Sequence, residues 1–192
     1  MTAKGARTRA RIVEAAAGLV HDQGVSATTI EDVRVAAGIG GSQLYHYFTD
    51  KEALVRAVAD RQADLVVNAS AQADLGTVEG LWAWRNQILA HVDAAHGAGG
   101  CPLGSLGSQI AEADEDARQQ VAAGFHRWSN TLREGIRDLH AAGKLTTGTD
   151  PDDLAATLLA TLQGGLLLAQ VSRDATPLAT ALDTLLTLAI AG

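Results

Sequence analysis

Residues 28–54 read TTIEDVRVAAGIGGSQLYHYFTDKEAL, and their reading decides the fold. Thr28 followed three positions later by Glu31 is the pattern of a capping box: the threonine oxygen accepts from an orphan amide of the first turn, and the carboxylate reaches back to the cap. Ile30, Val33 and Ala37 then recur at helical spacing and form the inner face of a helix that Gly38 ends. A further helix is predicted from about Gly40 to Phe48, and TDKEAL opens another, with Asp50 or Thr49 as its cap. Two helices joined by a three- or four-residue turn that contains glycine are a helix-turn-helix, whose second helix enters the DNA major groove and reads base edges. The second helix is short because only its first two turns need to reach the bases.

Upstream, Ile12, Val13, Ala16, Leu19 and Val20 mark a first helix, which DQG at 22–24 is expected to close. With the connections this short, four helices fill a small head. Its leading segment KGARTRAR is basic: it either meets phosphates or is a solvated, frayed end. Residues 1–62 carry eight Lys and Arg against seven Asp and Glu, whereas residues 63–192 carry seven against fifteen, so the overall charge of −7 conceals two unlike halves. The 192 residues, 47% of them hydrophobic, suffice for a real core. Charges at Lys4, Arg7, Arg9, Arg11 and Glu14 leave no room for the apolar stretch of a signal peptide, and the one cysteine, Cys101, forms no internal disulfide. The expected location is the cytoplasm.

Over about residues 7–60 the chain resembles the DNA-binding head of the TetR family of bacterial transcriptional regulators, through the glycine turn, the L-Y-x-x-F ending and the K-E-x-L that follows. The resemblance implies an operator-binding repressor that works as a homodimer and is released when an inducer binds an all-helical C-terminal part. It implies that Thr29, Tyr45 and Lys51 hold phosphates while Gly40, Gly41, Ser42, Gln43 and His46 face the groove. Among these, Gln43 is suited to direct readout, because its amide pairs bidentately with adenine. Leu44, Tyr47 and Phe48 are expected in the core. The chain departs from the family pattern at Gly40 and Gly41, where many members have a Ser or Thr cap followed by Lys; the expected result is a weakly capped third helix, partly unformed without DNA.

From about residue 60 onward the pattern stays helical, and no strand-like alternation occurs. TVEGLWAWRNQILAHVDAAHG is apolar on more than one side, glycines 97, 99, 100, 104 and 107 interrupt regularity around Cys101 and Pro102, and Val121, Phe125, Trp128, Leu132, Ile136 and Leu139 step along a long amphipathic helix. LAATLLATLQGGLLLAQVS, residues 154–172, is uncharged and close to a membrane span in length. Its glutamines, hydroxyls and alanines, and the lack of a flanking basic cluster, favour a helix covered by its own core on one side and a partner subunit on the other. Asp150-Pro151-Asp152-Asp153 starts it, and Thr176-Pro177 starts a final helix in the same way. Pairing these last two helices with their symmetry mates gives a two-fold dimer, and Gly164 and Gly165 permit close helix approach. The fold class is therefore all-α: a three-helix head over residues 1–50, joined through a connecting helix to a larger helical bundle over 51–192.

Trp82, Ile88, Leu103, Leu106, Phe125, Trp128, Gln163 and Leu167 are candidate lining for an apolar or amphipathic inducer, with His91, His126 and Gln163 as polar handles. Cys101, in a glycine-rich loop before a probable helix, raises a thiol-sensing repressor as the alternative, although no cation neighbours it in sequence. A second alternative is a ligand-binding helical protein with a degenerate head. An enzyme is disfavoured: GIGGS follows a helix rather than a strand, the usual nucleophile and metal motifs do not occur, and no cofactor or metal site is indicated.

Overall fold

A computed structural model describes residues 2–191 and divides the chain into two compact units. The first comprises the residues up to Leu65 together with Pro102–Phe125; the second comprises Val66–Cys101 together with the residues from His126 onward. The described residues form helices α1 (Ala3–Ala27), α2 (Ile30–Ala37), α3 (Gly41–Tyr47), α4 (Lys51–Ala71), α5 (Val78–Ala94), α6 (Pro102–Ile110), α7 (Glu115–Ala141), α8 (Pro151–Ser172) and α9 (Thr176–Ala189). The fold is all-α. The one sheet-like contact among them is an isolated antiparallel bridge between Leu145 and Ile190.

In the first unit, Ile12, Val13, Ala16, Ala17 and Val20 of α1 bury one stripe, met by Val33 and Ala37 of α2 and Leu44 of α3. Each fully buried side chain of leucine or isoleucine size contributes about 1.5–3 kcal/mol. The basic segment is neither frayed nor extended: α1 starts at Ala3, where Thr2 Oγ1 accepts from the Gly5 amide at 3.2 Å. At the other end DQG does not finish the helix. Gly24 breaks it at φ 85°, ψ 164°, and one more helical turn follows to Ala27. The break strands the Val25 N–H, which donates to Gln109 Oε1 of α6 at 2.8 Å. The first half of α7 lies against α4 and α6; a Cβ on Gly124 would sit 2.7 Å from that of Ala63.

The capping box before α2 lies one residue later than the sequence spacing suggests. Thr29 Oγ1 accepts from the Asp32 amide at 3.1 Å, and Asp32 Oδ2 accepts from the Thr29 amide at 3.0 Å. Thr28 is instead buried and donates its hydroxyl to the Gly24 carbonyl at 2.8 Å. Both spacings are three residues, and burial of Thr28 against the kinked end of α1 decides between them.

The core of the second unit comes from Leu132, Ile136 and Leu139 of α7, Leu154, Leu158 and Leu162 of α8, and Leu178, Leu182 and Leu186 of α9. Asp150 caps α8 by accepting from the Asp152 and Asp153 amides, with Pro151 in the first turn. For α9 the first helical residue is Thr176 itself. Asp174 Oδ1, rather than a threonine oxygen, accepts from its amide at 2.9 Å and its hydroxyl at 2.7 Å. At Gly165 α8 and α9 approach closely, since a Cβ there would stand 3.0 Å from Leu178 Cα. Gly104 and Gly107 do not interrupt regularity; both lie inside α6. Arg85 of α5 ties to Asp183 of α9 through two bonds of 2.6 Å, and buried Ser70 of α4 accepts from the indoles of Trp84 (3.3 Å) and Trp128 (2.7 Å). α8 has the length and apolarity to cross a membrane, and its inner face is covered by α9.

Candidate nucleic-acid interface

The site is built from α2, the turn after it, α3 and the start of α4, all within the first unit. α2 ends at Gly38 in the left-handed conformation (φ 61°, ψ 47°), which a residue without a Cβ adopts without strain, and the Gly38 amide donates to the Arg34 and Val35 carbonyls. Ile39 is buried beneath the turn, and Gly40 begins the next helix with extended backbone and no side-chain cap. From that uncapped start α3 runs from Gly41 to Tyr47.

Leu44 and Phe48 anchor α3 to the core, and Tyr47 is half-buried with its ring edge-on to that of His46, centroids 5.1 Å apart. That leaves Ser42, Gln43 and His46 exposed at one-, three- and four-residue spacings, a single polar face. Tyr45, 58% exposed, stands beside it. Gly40 and Gly41 at its leading end leave only backbone to meet a surface. Thr29 is exposed, but its hydroxyl is committed to Asp32 at 2.6 Å. Lys51, half-buried, points its ammonium at the Ser26 carbonyl, 3.4 Å away. Asp50 is the cap of α4: its Oδ1 accepts from the Ala53 amide at 2.7 Å.

The hydrogen bonds of these acids hold them ionised. The Thr29 hydroxyl, and then its amide, lower the pKa of Asp32; the Ala53 amide, and then Thr49, lower that of Asp50; Arg34 lowers that of Glu31. Two cations whose partners sequence reasoning did not name have defined positions. Arg9 of α1 lies over the Phe48 ring, 5.1 Å from its centre, and Arg34 holds Glu31 bidentately. The three-residue spacing of Glu31 and Arg34 was the available signal for the second; the first pairs residues too far apart in sequence to be read.

The candidate inducer residues fall in different units. Leu103 and Leu106 of α6 are buried in the first, where Phe125 also lies, half-buried. In the second, Trp128 is buried, Trp82 and Ile88 are half-buried, and Leu167 is exposed on α8. It is Trp84, not Trp82, that converges with Trp128 on Ser70. Gln163 is half-buried, and its Nε2 is buried without a hydrogen-bond partner. His91 and His126 are exposed. Cys101 is buried, 6% exposed. No group of three or more His, Cys, Asp or Glu among the described residues is placed to hold a metal ion.

Comparison with known proteins agrees with this geometry. Residues 12–58 match the model of bacterial regulatory proteins of the tetR family, and residues 77–185 match the tetracyclin repressor-like C-terminal domain. The chain belongs to the TetR family. It is 33% identical over 184 residues to an HTH-type transcriptional regulator of Mycobacterium tuberculosis, covering 88% of each chain. It is 25% identical to the HTH-type transcriptional repressor DhaR of a Mycobacterium species, over 88% of this chain and 86% of that one. A TetR transcriptional regulator of Chloroflexus aurantiacus superimposes with a TM-score of 0.77 at 28% identity over the whole of both chains. The protein is a TetR-family transcriptional regulator, and its head is the helix-turn-helix of that family.

Proposed function

We propose that this TetR-family regulator is a ligand-responsive repressor that binds a pseudo-palindromic operator as a homodimer in the cytoplasm and is released by a small apolar or amphipathic inducer. The observation that carries the reading is the polar face of α3, with Gln43, Ser42 and His46 exposed while Leu44 and Phe48 fix the helix from beneath. Gln43 reads adenine, Tyr45, Thr29 and Lys51 fix register on phosphates, and Gly40 and Gly41 allow close backbone approach. The DNA-binding domain is residues 1–50 and the ligand-binding and dimerisation domain 51–192.

Dimerisation runs through α8 and α9. Leu167 (59%), Leu168 (56%) and Val171 (77%) are exposed along one stripe of α8, and Leu188 (71%) of α9 is exposed nearer the start of α8. An open groove lined by Thr161, Pro177, Ala181 and Leu185 runs beside it. Two-fold pairing of this surface presents two heads to successive half-sites. Within the second unit the inducer site draws on Trp82, Ile88, Trp128 and Gln163, with the buried, unpartnered Gln163 amide nitrogen as the donor a ligand satisfies. α4 starts in the first unit and ends in the second, so a ligand that prefers one tilt of this helix shifts the population of heads able to bind.

Titration of the purified protein against DNA from upstream of its own gene, with scrambled duplex as competitor at two salt concentrations, tests the proposal. Two protomers per site and affinity that survives the competitor are expected. Weak binding that is equal on both duplexes overturns it.

A further inference from the structure

We infer that Arg34 is the positioning residue of the recognition helix, bracing from α2 the start of α3 that Gly40 leaves without a side-chain cap. α3 has seven residues, too few to hold its own shape in water, and the Gly40 carbonyl alone accepts from the Gln43 and Leu44 amides, each at 3.1 Å. Arg34 grips the residue just before that cap at both of its backbone groups. The Ile39 amide donates to the Arg34 carbonyl at 3.3 Å, and Arg34 Nη1 donates to the Ile39 carbonyl at 3.1 Å. The orientation of the guanidinium is set by Glu31, whose two carboxylate oxygens take Nε at 2.8 Å and Nη2 at 2.5 Å, leaving Nη1 directed at the turn. The aliphatic stem of Arg34 lies beside the first turn of α3, its Cδ 3.9 Å from where a Cβ on Gly41 would be. Glu31, Arg34 and Ile39 thus form a chain of interactions that fixes where α3 begins, and through it where Gln43 and His46 point.

The brace is a property of the free protein; only its consequence for DNA rests on the function proposed above. The test exploits the empty space at position 40, where a Cβ meets nothing within 4 Å and the backbone (φ −75°, ψ 152°) already suits a capping residue. Amide hydrogen exchange is followed by NMR at Gln43 and Leu44, with α8 amides as the internal reference, in wild type, Arg34→Ala, Gly40→Ser and the double variant. Arg34→Ala is expected to speed exchange in α3 by about fivefold, the size of one lost cap, with α8 unchanged. Glu31→Gln moves exchange in the same direction by less, and serves as the readout if Arg34→Ala does not fold. Gly40→Ser in the Arg34→Ala background is expected to recover about 1.5- to 2-fold of that protection, because serine caps a helix modestly better than glycine does. Unchanged α3 exchange in Arg34→Ala and Glu31→Gln, or failure of Gly40→Ser to rescue, overturns the inference. Operator titration of wild type, Glu31→Gln and Arg34→Ala should follow the same order in specific affinity. Altered exchange with no operator preference even in wild type would leave the brace standing and remove the DNA-reading role instead.

Discussion

Replacing Gly165 by alanine probes the close approach of α9 to α8 in the second unit. The added Cβ falls 2.5 Å from Leu178 Cδ1 and 3.0 Å from Leu178 Cα, and Leu178 is fully buried. The methyl has no solvent to swing into, and relieving the clash with the Leu178 main chain requires the backbone of α9 to move. Overpacking of this kind costs about 1–3 kcal/mol, against a gain of about 1 kcal/mol for alanine over glycine inside a helix. A net loss of about 1 kcal/mol is expected. Its neighbour supplies the control: a Cβ on Gly164 meets nothing within 4 Å, so Gly164→Ala should keep the whole helix gain of about 1 kcal/mol. The two adjacent substitutions then differ by about 2 kcal/mol with opposite signs. Urea unfolding followed by far-ultraviolet circular dichroism, at a protein concentration where sedimentation finds one species, measures both midpoints. A Gly165→Ala protein more stable than wild type, or one indistinguishable from Gly164→Ala, refutes the reasoning.

Leu168→Glu, at an exposed position, should leave the fold of the single chain intact but weaken dimerisation by about 3 kcal/mol, roughly a hundredfold in Kd, because it buries an unpaired carboxylate; sedimentation equilibrium reads this directly. Lys51→Ala should reduce the salt slope of operator binding by about one while leaving base preference unchanged, measured by titration across salt concentrations. Asp32→Asn, which weakens the cap of α2, should lower stability by about 1 kcal/mol in a urea melt. Asp32, Asp50, Asp152 and Asp174 all have pKa values held below the ordinary 3.8, the third by its bond to Arg137 and the last by the Thr176 amide. Glu31 and Glu115 are lowered likewise from 4.5, Glu115 to about 2 through its bond to Arg118, so this contribution is complete above the unfolded-state values and is lost as pH falls through the lowered folded-state ones; urea midpoints should hold steady down to about pH 5 and drop below it.

The helices and their order were legible because their signals are local. Val33 and Ala37 before Gly38, the Asp150-Pro151 start of α8 and the stepping of Trp128, Leu132, Ile136 and Leu139 each lie within a few residues of what they specify. So does the polar face of α3, since Gln43 and His46 are three apart on one helix and Leu44 is the apolar residue between them. The capping box marks where local reading reached its limit. Thr28 and Thr29 each have an acid three residues on, and the choice depended on which threonine the kink at Gly24 buries.

By itself, then, the sequence determined the all-α class, the helix-turn-helix and the uncommitted apolar stripe of α8, because periodicity and capping act over one or two turns. Tertiary structure alone decided the pairs that are distant in sequence. Arg9 lies over Phe48, Gln109 answers the stranded Val25 amide, Trp84 and Trp128 share Ser70, and of two adjacent glycines only Gly165 meets α9. Such pairings form only when separate helices pack, and packing depends on the shapes of whole faces that no short window of sequence contains.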